Sequence, residues 1–244
     1  VVVIVMTVIL SAVLVLGWMS FKKVREIVTT DFNRQQLLLA QHAARQIENE
    51  LNTLKKELSL LSLSPSLQYF ETVWLKKRME ISFSRVKEVG TFEIRYIESA
   101  KPRTHLADSY GYQTVATYPD ELHYLEWARQ IKNKGSILVS EVFPMTHGSE
   151  YQKLTMKLAL PVWQGSVDDL HPVATDKFSG VLIFVVDATA LNKKVLDGIA
   201  SGKTGYAWII DQNGTFLYHL EKDLIGKNAF EARKEKNPTI SFAR

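Results

Sequence analysis

The sequence predicts an α+β protein: a transmembrane helix and a long stalk helix, then an antiparallel-sheet module, then the start of a second, truncated module. Three observations carry this. Residues 1–21 hold no charge and no proline, and residues 22–63 hold neither proline nor glycine. From residue 92 onward, short runs alternate apolar and polar residues between turn signals, the period of half-buried strands. The expected division is a transmembrane helix over 1–21, a stalk helix over 22–63, a first module over 64–200 and the incomplete second module over 201–244.

The apolar run is the first element. As a helix, twenty-one residues rise roughly 30 Å, about the thickness of a bilayer's hydrocarbon core. Trp18 and Phe21 stand at its end, where amphipathic rings favour the headgroup region. A cleaved signal peptide fits poorly, because its apolar core is usually about 7–15 residues before a small-residue cleavage site. Lys22, Lys23 and Arg25 come directly after the run. The positive-inside rule alone would place them in the cytoplasm, but it compares both flanks and this sequence holds only one. The chain starts with Val rather than Met, so it is expected to begin inside a longer protein.

The stalk helix carries apolar residues at Leu37, Ala40, Ala44, Ile47, Leu51, Leu54, Leu58 and Leu61, in steps alternating three and four. That is a heptad seam. It serves either as a contact between two copies or as the face that packs on the chain's own domain, or both. Pro65 disfavours helix at Ser64 and ends the element. A second helical segment is expected over about 68–89, stopping at Gly90.

The first module then reads as strand (92–99), strand (111–118), helix, and three further strands (137–143, 151–163, 178–191). The helix, "PDELHYLEWARQIKNKG", opens on Pro119 with acidic residues in its first turn and closes on Gly135. A polar insertion over 164–176 separates the last two strands, and a short helix is expected over 192–200. This order suits an antiparallel sheet with a helix packed at one side.

Composition narrows the function classes. The 244 residues are 46% hydrophobic, so the chain is globular rather than disordered. With no cysteine there are no disulfides, thiolate metal sites or cysteine nucleophiles. A net charge of +4, with both signs interspersed, argues against a nucleic-acid partner. The six histidines (42, 105, 123, 147, 171 and 219) show no metal-ligand spacing and are expected at the surface or in loops. Neither a hydrolase triad, nor H-E-x-x-H, nor a paired-carboxylate signature occurs. No cofactor and no metal site are expected, and no catalytic site in this stretch. Asp187 and Asp211 each end an apolar strand and are expected to make turn-forming hydrogen bonds.

Gly202-Lys203-Thr204 has the ending of a phosphate-binding loop. Such a loop comes after a strand and opens a helix. Here a helix is expected before it and a strand after it, and the upstream Gly198 is one residue too close. Gly202 instead suits the left-handed exit from a helix. The next residues read as a hairpin, "YAWIID" and "TFLYHL", joined through Gln212-Asn213-Gly214. Asn-Gly is a favoured type I′ pair.

The stretch "GKTGYAWIIDQNGTFLYHLEKDLIGKNAF" resembles the opening of a PAS-like module in the double-Cache (dCache) family of bacterial extracytoplasmic sensors. The resemblance rests on Gly202, Gly205, Tyr206, Asp211, Gly214, His219 and Ile225-Gly226-Lys227. Leu220 stands where the family usually has proline. The resemblance implies that the first module is membrane-distal and the second membrane-proximal. Residues 22–244 would then lie outside the cytoplasm (periplasmic), anchored in the inner membrane. The second module would be cut short, its hairpin leaning on the stalk helix or the distal module. The implied output is a sensor histidine kinase, with chemoreceptor and diguanylate cyclase as alternatives. The implied partners are the membrane, a small-molecule ligand with organic acids as the leading class, and a second copy through the stalk helix.

Carried onto this chain, the family's distal pocket spans residues 110–157. Its candidate ligand-binding residues are Tyr112, Tyr118, Tyr124, Trp127, Arg129, Glu141 and Lys157: aromatic walls with a few placed charges, as small-molecule sites require. Equally, Tyr112, Tyr118 and Trp127 suit a plain core. Amino-acid-binding members carry an Arg before Trp-Tyr in the helix. "HYLEWAR" lacks it, which disfavours an α-amino acid and leaves a small carboxylate on Arg129 or Lys157. The rival reading is a membrane-tethered structural or adaptor protein that takes no ligand.

Overall fold

A computed structural model describes residues 2–101, 103–146, 152–201 and 205–236. Gly202, residues 147–151 with His147, and residues 237–244 lie outside them, as do side chains within 1–12. The chain divides into two compact units, 1–45 and 46–244. Helix α1 runs over Val2–Ser62, so its backbone is helical from the apolar run to the end of the expected stalk. Among the described residues, no helix is long and apolar enough to cross a membrane. Within the first unit Leu37 and Leu38 are exposed.

The second unit opens on the end of α1. Ser64 is extended (φ −67°, ψ 132°), as the residue before proline must be, and Pro65 opens a single turn, α2 (Pro65–Gln68). Helix α3 (Thr72–Val86) passes through a 3₁₀ turn to Gly90, whose φ of +102° only glycine takes without strain. Strands β1 (Thr91–Glu98), β2 (Arg103–Asp108) and β3 (Gly111–Ala116) form a meander. Helix α4 (Leu122–Arg129) continues from a 3₁₀ turn at Pro119–Glu121. Then come β4 (Leu138–Val139), β5 (Phe143–Thr146), β6 (Gln152–Trp163), β7 (Phe178–Asp187) and α5 (Ala188–Leu196).

The sheet is antiparallel, in the order β3-β2-β1-β7-β6-β4, with β5 also on β6. Its two faces obey the period of two. Ile94, Tyr96, Leu158, Leu160, Leu182 and Phe184 face Leu54, Leu58 and Leu61 of α1 and Met79 and Phe83 of α3. Ile97, Ala159, Val181, Ile183 and Val185 face Tyr124, Leu125 and Ala128 of α4. The seam of α1 from Ile47 to Leu61 is thus occupied within the chain, by its own sheet.

Four details differ from the sequence reading. Strand β2 lies outside the expected set: Arg103, Thr104 and His105 dilute its apolar signal. The expected strand over 137–143 is split into β4 and β5, because Ser140 breaks the ladder and its Oγ accepts from the Lys157 N–H at 2.8 Å. α4 ends at Arg129 and yields to a 3₁₀ turn, although Gly135 does take positive φ (+76°). β7 stops at Asp187, which caps α5 by accepting from Ala190 N–H at 2.8 Å, so the last helix spans 188–196 rather than 192–200.

The remaining elements are small: β8 (Ala200–Ser201) pairs β9 (Gly205–Tyr206), and β10 (Ile209–Ile210) pairs β11 (Phe216–Tyr218), with α6 (Ala229–Lys236) after them. The 211–214 turn has positive φ only at Gly214, so it is not type I′. Asp211 Oδ1 accepts from Asn213 and Thr215 N–H, both at 2.8 Å, and this Asx geometry replaces the second left-handed residue. The hairpin leans on the first module as expected: Tyr218 donates to Asp197 just beyond α5 at 2.8 Å.

Candidate functional site

The β1 sequence "TFEIRYIE" hides two charges in an apolar strand. Alternation turns Ile94 and Tyr96 toward α1, and Glu93 and Arg95 toward α4. In register, Glu93 and Lys157 flank Val185 on the central β7, on one face of the sheet. Two strand spacings separate their backbones by roughly 10 Å. Pro119 starts the 3₁₀ turn that brings Glu121 into that gap.

The result is a buried ion network. Glu93, Arg95, Glu121 and Lys157 are each at most 2% exposed. Arg95 Nε donates to Glu93 Oε2 at 2.6 Å, and Nη2 is also paired with that oxygen, without hydrogen-bond geometry. Arg95 Nη1 donates to Glu121 Oε1 at 2.5 Å, and Lys157 Nζ donates to the same oxygen at 2.9 Å. Asp120, at the exposed rim, stands 3.6 Å from Lys157 Nζ. Glu121 Oε2, fully buried, has no hydrogen-bond partner.

Aromatic rings wall the network. Arg95 lies over Tyr118 (5.2 Å to the centroid), and Lys157 lies between Tyr124 (5.5 Å) and Phe143 (5.6 Å), distances at which a cation is drawn to the ring face. Burial alone would lower the pKa of Arg95, but Glu121 and Glu93 outweigh it and hold it above its ordinary value. Burial pushes Tyr124 up; a hydrogen bond with Ser140 opposes this, and Glu121 and Asp120 add to it. Burial of these fixed charges strengthens each interaction among them over its value in water.

Of the residues expected in the pocket, Tyr118, Tyr124 and Lys157 come together here, and Trp127 packs in the same apolar layer. The others do not join them. Tyr112 points to the α1 face, 2.6 Å from His105 Nδ1, because β3 is in register to put it there. Arg129 leans the other way, over Phe178 and toward Ser99 O at 3.3 Å. Glu141 is exposed beyond β4. Sequence reasoning missed Glu93, Arg95 and Glu121, although two charges at i and i+2 in an otherwise apolar strand are a readable signal.

His105 departs from the expected surface or loop position, and His219 keeps a loop position but is buried. His105 is buried between Glu98 (2.6 Å from Nε2) and Tyr112. His219 is buried against Phe216 and Tyr206, its Nδ1 accepting from Glu221 N–H at 3.0 Å. Among the described residues no cluster of His, Asp or Glu is arranged to hold a metal. The described clefts lie on the α1 side, one of about 290 Å³ between Ser62, Gln68, Lys134 and Trp163, and one of about 650 Å³ beside Phe70 and Trp74.

Solved structures share this architecture. The ligand-binding domain of the Pseudomonas aeruginosa PAO1 amino acid chemoreceptor PctC in complex with GABA aligns with TM-score 0.52 and 16% identity, over 84% of this chain and 80% of that one. The extracellular domain of vpHK1S-Z8 aligns with TM-score 0.61 and 12% identity, over 84% and 78%. The ligand-binding domain of the Campylobacter jejuni chemoreceptor Tlp3 in complex with L-norvaline gives 0.58 and 13%, over 87% and 74%. At such identities the likeness is one of fold. No curated protein matches the sequence. The family model of the Cache domain, dCache_1, matches residues 22–242. The chain belongs to the Cache domain family.

Proposed function

We propose that this chain is the extracytoplasmic ligand-sensing portion of a membrane signal-transduction receptor. A small molecule binding on the α4 face of the distal module, residues 64–200, biases one of two arrangements of that module, the start of the proximal module over 201–244 and the stalk. The observation that carries this reading is the buried network of Glu93, Arg95, Glu121 and Lys157 with its unpartnered carboxylate oxygen. A module needing only a stable core gains little from buried ion pairs, since apolar residues of similar volume serve as well or better. Tyr118, half exposed at the rim, and Tyr124 complete the site.

The output we propose is a histidine kinase; a chemoreceptor or diguanylate cyclase uses the same sensor logic. The membrane anchor is residues 1–21, argued from their length and lack of charge. Residues 22–244 are periplasmic in this reading, and two copies meet through the stalk. Signalling requires the ligand to bind one arrangement better than the other.

The test is a thermal-shift screen of the full chain in detergent against organic acids, amines and purines. At a hundredfold excess over Kd, a ligand specific to the folded state raises Tm by roughly 5–10 °C. Silence from all three classes would sink the sensor reading and favour the tethered adaptor.

A further inference from the structure

The turn between α2 and α3 builds a second recess, apart from the α4 face. Phe70 holds φ at +55°, a left-handed conformation unfavourable for a bulky residue and of the kind that collects at ligand sites. Beyond that reversal α3 begins, with Trp74 and Arg78 one turn apart on the same helix face. The insertion over 164–176 supplies a second wall through Asp168 and Leu170. Gly165 pins it, its carbonyl accepting from the Tyr69 hydroxyl and its N–H donating to Gln68 Oε1, both at 2.7 Å. His171 stacks on the Tyr69 ring at 3.6 Å. The cleft between these walls holds about 650 Å³, a volume suited to a small ligand.

Its side chains narrow the ligand class. Trp74 is 56% exposed, and Val73 and Leu170 stand open on the same cleft, an apolar surface that the core does not use. Among the described residues, the side chains of Glu71 and Arg78 make no ion pair or hydrogen bond. Asp168 Oδ1 is committed to His171 Nδ1 (2.9 Å) and to the Leu170 and His171 N–H groups (3.1 and 2.7 Å). An anion in the cleft faces Glu71 and Asp168, and a cation faces Arg78. A neutral molecule with several hydroxyls suits both signs, since each hydroxyl can donate to a carboxylate or accept from a guanidinium. The exposed indole adds a flat apolar platform for the C–H face of a ring.

We infer that this cleft binds a neutral saccharide, with one face of a sugar ring on Trp74 and its hydroxyls shared between Glu71 and Arg78. The inference goes beyond the ligand-sensing reading above. The site lies off the α4 face, and none of Glu93, Arg95, Glu121 or Lys157 lines it.

The experiment is calorimetric titration of the full chain, held in a detergent without a sugar headgroup, with matched probes. Glucose and maltose form the neutral arm, and glucosamine and glucuronate the charged one. The expected result is binding of the neutral sugars, with both charged analogues weaker by about threefold or more, as for an exposed charge contact. Trp74→Ala should weaken glucose binding by about tenfold or more, as for a central aromatic contact. Arg78→Gln should weaken it by about tenfold, as for a hydrogen bond to a charged group. Both positions are exposed, so neither change threatens the fold. Silence from both neutral sugars overturns the inference and leaves the sensor reading, which rests on the α4 face, intact. Charged analogues that bind as well as glucose overturn it too. So does glucose binding that survives Trp74→Ala and Arg78→Gln, and its loss in Tyr118→Ala would then move the sugar to the α4 face.

Discussion

Gly180 shows how one atom can decide a core. A Cβ added there would lie 2.2 Å from Ile97 O and about 3 Å from the Tyr96 ring, where β7 crosses β1. Backbone cannot yield as a flexible side chain can, so Gly180→Ala should destabilise the fold by ~1–3 kcal/mol, the usual range for overpacking, read from urea midpoints. Tyr96 beside it sets an alkaline limit. Its hydroxyl is buried and shares one proton between Leu67 O (3.1 Å) and Ser179 O (3.0 Å). Burial, with a smaller contribution from Glu98, holds its pKa above the ordinary tyrosine value. For an acid whose folded pKa is raised, the stabilisation is complete below the unfolded pKa, about 10, and declines as pH rises above it. Stability should therefore fall from about pH 10 upward, and Tyr96→Phe should flatten that decline while lowering stability at neutral pH. An unchanged alkaline slope would assign the decline to other tyrosines. Neither position could be singled out from the sequence: glycine and tyrosine in an apolar strand look ordinary until the register is known.

Among elements, those with a strong period were the legible ones. α1, β1 and β6 are long and their apolar positions repeat cleanly, while β7 is recognised by its continuous apolar run, buried on both faces of the sheet. β2 escapes such reading because both its faces are buried and carry polar residues, Thr104 on one and His105 on the other, whose polar atoms find partners across the sheet in Thr117 and in Glu98 and Tyr112. The site obeys the same rule. Lys157, Tyr124 and Tyr118 are reached by mapping a family pocket onto the chain. Arg129 and Glu141 share the segment but lie away from the network, Arg129 over Phe178 and Glu141 exposed, and Glu93, Arg95 and Glu121 depend on a pairing no local pattern states. The junction between β7 and α5 falls earlier than its apolar run suggests, and it offers a check. Asp187 Oδ1 caps α5, and the Gly90 backbone sits against the same turn. Asp187→Ala should cost about 1 kcal/mol of stability, and Asp187→Asn much less, because the amide oxygen can still accept. Equal losses from both would remove the cap as the cause.

For the whole molecule, the stalk seam divides its labour. From Ile47 to Leu61 the heptad positions pack on the chain's own sheet, with Leu54, Leu58 and Leu61 buried. Nearer the apolar run, Leu37, Ala40 and Ala44 continue the same period but are exposed. Of the two purposes left open by its spacing, the half from Ile47 to Leu61 meets one by closing the module; that the other half meets the same half of a second copy is our proposal. Small residues at Ala40 and Ala44 let two helices approach closely, and Leu37 supplies the larger knob. The two halves should separate under mutation. Leu58→Ala should lower the unfolding free energy by about 2–5 kcal/mol without changing the oligomeric state. Leu37→Glu with Ala40→Glu should leave the thermal midpoint of the sheet module in place but convert the dimer to a monomer, measured by light scattering of the full chain in detergent. A wild-type chain already monomeric over the micromolar range would end the proposal that two copies meet through the stalk, and with it the simplest route from an occupied α4 face to a paired output.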